Sequence, residues 1–338
     1  MDWSQAQKEL AKGLAPRYGD REAGIIADWV MERLTGQSKL NRLLRKTEQL
    51  GPSELAVYER YRNELLAGRP VQYVLGESWF GGAKFFVDER VLIPRPETEE
   101  LVEWMISEAS APQATGTSAS RPTPATQASA PQTTPASQPA PRPTPAEHAP
   151  LAPHTDKPGA LQANQAPAPA SILDVGTGSG CIAITLSRRL PGIAVYACDV
   201  SEGALSVADR NAEELEAAIG LIRTDFLDRS QWAALPLVRW LVSNPPYIPL
   251  KERGSMAGHV VDAEPALALF VPDDDALIFY RALGEFACQR MGQGAILFAE
   301  VHEGLGDEVR DLLLHLGAVE VILRKDLQGK DRMIKAIW

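Results

Sequence analysis

From residue 171 onward, short apolar runs alternate with stretches in which apolar residues recur every three or four positions. The runs fall near 171–175, 193–198, 219–224, 238–243, 294–300, 319–324 and 332–337, and they predict strands with helices between most of them. Strands separated by helical connections predict an α/β fold built on a doubly wound, mostly parallel sheet. The first seventy or so residues carry helical periodicity alone. Asp20 precedes an apolar-periodic stretch that stops at Leu34-Thr35-Gly36, with Gly36 as the C-terminal cap. Pro52 stands at a first helical position, and Leu55, Tyr58, Tyr61 and Leu65 then recur at helical spacing, the tyrosines reading as packing between helices. Over residues 71–93, the apolar residues Trp79, Phe80, Phe85, Phe86, Val87 and Val91 surround Gly81-Gly82 and predict a β-hairpin. Thr98 to Ile106 predicts a helix leading into the next domain.

Between these regions the pattern disappears. Residues 110–170 hold 14 of the 26 prolines, no aromatic residue and no Ile, Val or Met. Such a stretch cannot bury enough apolar area to offset its ordering entropy, which predicts a disordered, partly extended insert. As a flexible coil its ends would lie roughly 45 Å apart. Its flanks must still meet, so it is expected to loop out as a tolerated insertion. The organisation expected is a helical domain over 1–70, a hairpin and connecting helix over 71–109, the insert over 110–170, and the α/β domain over 171–338.

Composition narrows the function classes. A chain of 338 residues with 45% hydrophobic content has room for two domains and a sizeable core. Lys and Arg number 34 against 44 Asp and Glu, a formal charge of −10, which argues against a broad nucleic-acid footprint. Cys181, Cys198 and Cys288 are scattered and form no C-x-x-C pair, so free thiols in a reducing cytoplasm are expected rather than disulfides. The five histidines show no ligand spacing, and no metal is expected. The segment Met1 to Lys8 lacks a signal-peptide pattern, and no apolar run approaches membrane-spanning length.

The candidate chemistry begins at Asn244-Pro245-Pro246-Tyr247, which follows the apolar run Val238–Ser243. Each proline fixes φ and removes an N–H, leaving carbonyl oxygens, one side-chain amide and an aromatic ring. Such a loop suits a planar group bearing an NH2, because the Asn oxygen and a backbone carbonyl can accept its two protons. Upstream, the strand Ser171–Val175 runs into Gly176-Thr177-Gly178-Ser179-Gly180, and Cys181 opens a helix. Glycines there allow close approach of a ligand, and free N–H groups at the helix start attract anions. The spacing is G-x-G-x-G and not the G-x-G-x-x-G of dinucleotide sites. The next strand ends at Asp199, suitably positioned to accept both hydroxyls of a ribose.

Taken in this order, glycine loop, strand-end Asp199 and Asn244–Tyr247 resemble the class I S-adenosylmethionine-dependent methyltransferases that modify an amide or amino nitrogen. Gly68-Arg69-Pro70-Val71-Gln72-Tyr73-Val74-Leu75-Gly76 and Val91-Leu92-Ile93-Pro94-Arg95-Pro96-Glu97-Thr98-Glu99 resemble signatures of the release-factor glutamine methyltransferase family (PrmC/HemK). Glu264-Pro265-Ala266-Leu267-Ala268-Leu269 and Asp326…Gly329…Arg332 match the same family. The resemblance implies a Rossmann-like methyltransferase domain behind a small helical substrate-binding domain, acting as a monomer. It implies S-adenosyl-L-methionine as cofactor, with S-adenosyl-L-homocysteine as product, held by Gly176, Thr177, Gly178, Ser179, Gly180, Asp199 and Asn244. Asp225 and Phe226 would flank the adenine. Asn244 and Pro245 would accept the substrate amide protons, Tyr247 would pack on the amide plane, and Pro246 would complete the substrate loop. The implied substrate is the glutamine of the Gly-Gly-Gln loop of class I peptide chain release factors.

Three other readings are open from these residues: methylation of amino groups in DNA or RNA, glutamine methylation of a ribosomal protein, and a non-catalytic adaptor that binds S-adenosylmethionine. The chain also departs from the family pattern. His302 and Leu305 stand where Glu-x-Gly-x-x-Gln is common, and Asp274-Asp275-Ala276-Leu277 replaces Asp-Gly-Leu. Neither departure is expected to touch the reacting atoms.

Overall fold

In a computed structural model of the protein, residues 1–110, 171–255 and 263–338 are described. The insert expected over 110–170 therefore lies outside them, apart from Ser110. Helix α1 (Trp3–Thr35) starts at Asp2, whose side chain accepts the backbone N–H of Gln5 at 2.7 Å, and stops at Gly36 with φ of 64°. Gly19, at φ of 75° and ψ of 161°, breaks the helical path just before Asp20, so the periodic stretch read from the sequence is the second half of a longer element. The helices α2 (Lys39–Leu44), α3 (Pro52–Leu66) and α4 (Val71–Leu75) follow. Ala6, Leu10, Ala27 and Met31 of α1 meet Tyr58 and Leu65 of α3 in a shared core. Tyr58 donates its hydroxyl to the Ala6 carbonyl at 2.9 Å, satisfying a polar group buried between the helices.

The hairpin is shorter than the apolar pattern suggests. It comprises β1 (Ser78–Phe80) and β2 (Ala83–Phe85), paired antiparallel around Gly81-Gly82, while residues 71–75 form α4 instead. Five residues offer too few turns to show a period, and the left-handed cap Gly76, φ of 65°, is what ends the helix. Helix α5 (Pro96–Ser110) follows.

The central sheet contains β3 (Ser171–Val175), β4 (Ala194–Asp199), β5 (Gly220–Arg223), β6 (Trp240–Ser243), β9 (Ile296–Glu300), β10 (Glu320–Lys325) and β11 (Asp331–Ile337). Helix α6 (Cys181–Arg189) joins β3 to β4, and α7 (Glu202–Glu214) joins β4 to β5. The two-residue strands β7 (Ile248–Pro249) and β8 (Phe270–Val271) pair separately. The sheet order is β10-β11-β9-β6-β3-β4-β5, parallel except that β11 runs antiparallel to both neighbours. Side chains alternate between two cores. Ile172, Trp240, Val242 and Phe298 face α5 and α6, while Leu173, Leu241, Leu297 and Ala299 face the helices Ile278–Phe286 and Gly306–His315. All the described segments belong to one compact unit.

Register decides what meets at the strand ends. Val175 lies opposite Cys198 on one side and Ser243 on the other, and Ser243 lies opposite Ala299. One residue beyond this row stand Gly176, Asp199, Asn244 and Glu300. Parallel strands thus deliver a turn, two carboxylates and an amide to the same edge, where ligands bind in such sheets.

Candidate active site

A cavity of about 300 Å³ opens at that edge, and Gly176, Gly178, Asp199, Asp225, Phe226, Asn244, Pro245 and Pro246 all line it. Four residues singled out by sequence do not: Thr177, Ser179, Gly180 and Tyr247. Thr177 donates its hydroxyl to Asp174 at 2.6 Å, and the Ser179 carbonyl accepts from Asn211 Nδ2 at 2.8 Å. Gly180 begins α6 at φ of 80°, where a Cβ would lie 2.9 Å from Ile184 and 3.1 Å from Ala208. These residues shape the turn from behind.

Four N–H groups of the turn are already committed within the protein. The N–H groups of Gly176 and Thr177 donate to the Cys198 carbonyl, that of Gly178 to Asp199, and that of Gly180 to the Thr177 carbonyl. A Cβ added at Gly176 or Gly178 would meet no protein atom within 4 Å, and both have positive φ, 73° and 55°. The backbone is therefore bent into a cradle whose open side belongs to the cavity.

Two carboxylates serve this end. Asp199 accepts from Gly178 and Ser201 N–H groups at 3.0 and 2.9 Å, which orients it at the cavity wall while leaving lone pairs unused. Burial raises its pKa above the usual carboxylate range, partly offset by those N–H bonds. Asp174 lies fully buried, with Oδ1 lacking any partner among the described residues. Burial pushes its carboxyl up to about 7, against the lowering effect of the Thr177 hydroxyl and the Ala183 N–H. This carboxyl is fully buried and is not part of the cavity lining.

Phe226 belongs both to the core and to the cavity wall. It packs against Trp232 and Phe286 in the core, ring centroids 5.7 and 5.3 Å away, and also walls the cavity. Asp225 is exposed on the same wall, its carboxylate accepting the Leu227 N–H at 3.0 Å.

The Asn244 end is held by residues that sequence reasoning did not assign. Asn244 Nδ2 donates to Thr98 Oγ1 at 2.9 Å, and Thr98 donates to Glu300 Oε2 at 2.7 Å. Tyr247 donates its hydroxyl to Glu300 Oε1 at 2.8 Å. Thr98 and Glu300 are each only 2% exposed. Burial raises the Glu300 pKa, opposed by these two hydrogen bonds and by the charge of Arg332. Burial likewise raises the Tyr247 phenol, with the Glu300 charge adding to it, so the phenol stays a donor. Arg332 is fixed by Asp326 at 3.2 Å. Arg95 pairs with Glu264, whose other oxygen accepts the Ile93 N–H at 3.3 Å. That pair joins the Ile93–Glu99 segment to Pro265, which itself lines the cavity. His302, one of the departures, packs edge-on at 6.0 Å from the Tyr247 ring and lies 3.5 Å from Glu252. The signal for Thr98, Glu264 and Arg332 was present in the family-like segments, but their roles depend on partners far along the chain.

A seven-stranded sheet with one reversed strand, a glycine cradle, an acidic strand end and an Asn-Pro-Pro-Tyr loop together define a class I methyltransferase. Family profiles agree: the Methyltransferase small domain matches residues 154–266, and the PrmC N-terminal domain matches residues 5–76. The chain is 32% identical to the release factor glutamine methyltransferase of Flavobacterium psychrophilum, over 97% of its length and 96% of that protein. It is 32% identical to the one from Bacteroides thetaiotaomicron, covering 97% of each chain. For Chlorobaculum tepidum the figure is 36%, over 86% of this chain and 83% of that one. The chain belongs to the release factor glutamine methyltransferase family.

Among the described residues, no His, Cys, Asp and Glu group is arranged to hold a metal ion, and no helix is long and apolar enough to cross a membrane.

Proposed function

We propose that this chain methylates N5 of the glutamine in the Gly-Gly-Gln loop of class I release factors, with S-adenosyl-L-methionine as donor. The observation that carries the reading is the orientation of Asn244, whose Nδ2 is committed to Thr98, so that Oδ1 is the atom left for a ligand. When bound, S-adenosylmethionine supplies an electrophilic methyl group. The chain's own part is to make an amide nitrogen nucleophilic, since its lone pair is normally delocalised into the carbonyl. Asn244 Oδ1 accepts one amide proton and the Pro245 carbonyl the other, which returns electron density to nitrogen and fixes its direction. Alignment and a preorganised field then lower the barrier, and no strong base is needed because the proton can leave after transfer. Asp199 holds the ribose and the Gly176–Gly178 cradle the methionine end, with Asp225 and Phe226 at the adenine. Helical residues 1–70 grip the protein substrate.

The test is to incubate the protein with labelled S-adenosylmethionine and, separately, release factors, ribosomal proteins and duplex DNA. Mass spectrometry is expected to find one added methyl group on the Gly-Gly-Gln glutamine. Methylated adenine in DNA, or label confined to a ribosomal protein, would overturn the proposal.

A further inference from the structure

A carboxamide has nearly the same shape in its two flipped orientations, yet only one presents an acceptor where an amide N–H must be met. If Asn244 were turned over, its NH2 would face the substrate and repel it. The side chain alone has no preference, so the choice must be imposed by its surroundings.

We infer that Thr98 and Glu300 are positioning residues that fix the polarity of Asn244, and that Glu300 sets Tyr247 by the same means. This deepens the proposed function and rests on it for the identity of the acceptor. Each of the two Glu300 carboxyl oxygens stands as an acceptor to one hydroxyl. Glu300 therefore draws the Thr98 proton to Oε2 and the Tyr247 proton to Oε1, at 2.7 and 2.8 Å. With its only proton spent, Thr98 Oγ1 can do nothing toward Asn244 except accept, and it does so from Nδ2 at 2.9 Å. One buried carboxyl thus dictates the direction of three hydrogen bonds. Register accounts for its place: Glu300 follows Ala299, which pairs with Ser243, so β9 brings Glu300 beside Asn244. The opposite neighbour is Met333, which sets Arg332 close enough to offset the buried charge. The Tyr280 hydroxyl donates to the Glu300 carbonyl at 3.0 Å and pins the backbone at this point.

The discriminating substitution is Thr98→Val, which keeps the shape and removes the relay. It is expected to lower kcat about 10- to 100-fold, the range for loss of an orienting contact, while cofactor affinity stays within about threefold. Thr98→Ser, which retains the hydroxyl, should restore most of the rate. In an Asn244→Ala background, Thr98→Val should cost less than about twofold more, because there is no carboxamide left to orient. Full kcat in Thr98→Val, failure of Thr98→Ser to rescue, or multiplicative losses in the double variant would overturn the inference. A readout independent of turnover separates this from failure of the proposed substrate. In nuclear magnetic resonance spectra of the full chain, the Asn244 side-chain NH2 should show contacts to the Thr98 methyl and should shift in Thr98→Val. Unchanged Asn244 signals would sink the relay even if release factors prove to be the acceptor.

Discussion

Asn244 lines the cavity while Asp174 lies fully buried within β3, and each makes a separate demand on its surroundings. Removing the Asn244 side chain deletes one preorganised acceptor, so Asn244→Ala is expected to cut turnover on the release factor about a hundred- to a thousandfold. Steady-state methyl transfer at saturating substrate measures that loss, and a rate within tenfold of wild type would count against the role. Asp174 bears on stability. Its folded pKa is near 7 against an unfolded value of 3.8, because burial disfavours the charge. Between about pH 4 and 7 the unfolded chain gives up this proton while the folded chain keeps it. Stability is therefore lost as pH rises through that window, by an amount on the order of 4 kcal/mol above it. Asp174→Asn should lose less stability than wild type between pH 5 and pH 8 in urea unfolding of the cofactor-free protein; equal slopes would show that Asp174 ionises normally.

At the scale of elements, the hairpin, the glycine turn and α7 are joined by one amide. Asn211 Oδ1 accepts the Phe86 N–H at 2.7 Å, and its Nδ2 donates to the Phe86 and Ser179 carbonyls at 2.9 and 2.8 Å. Asn211 is completely buried. Asn211→Ala would strand backbone groups from two segments, so a destabilisation of about 2 to 4 kcal/mol is expected by denaturant titration, with weaker cofactor binding as the turn loosens. Anything under about 1 kcal/mol would mean water replaces the side chain. This element-scale wiring also marks where sequence reading stops. The strands are legible to within a residue or two because strands buried on both faces write themselves locally as continuous apolar runs. Asn-Pro-Pro-Tyr and the glycine turn were legible because their chemistry is contiguous. Asn211 reads as an unremarkable polar residue on a helix, and Glu300 as the last residue of an apolar strand. Their partners lie 125 and 202 residues away, a distance no local pattern encodes. The hairpin's early boundary escapes the sequence pattern for the complementary reason: α4 is too short to display a period.

For the whole molecule, α5 and β3 are the pieces that flank residues 111–170. Leu101, Val102 and Met105 of α5 share a core with Ile172 of β3. Both flanks are thus anchored in the sheet's own packing, and loop closure costs rise only slowly with length. Replacing residues 111–170 by a flexible Gly/Ser segment of about 15 residues is therefore expected to leave methyl transfer to a purified release factor within about threefold. A well-folded replacement variant that no longer methylates would show that the insert takes part in the reaction.

The span of the Asn244 relay has a consequence for how the protein comes into being. The bond from Asn244 to Thr98 bridges 146 positions and that from Thr98 to Glu300 bridges 202. Contacts between such distant parts of a chain are the slowest to form, because their loop entropy is spent before they return anything. The helical segment can gather its local contacts early, yet the amide of Asn244 has no fixed direction until β9 has docked beside β6. During refolding, activity should therefore reappear only with the slowest phase of sheet assembly, and a half-folded chain would be unable to methylate anything.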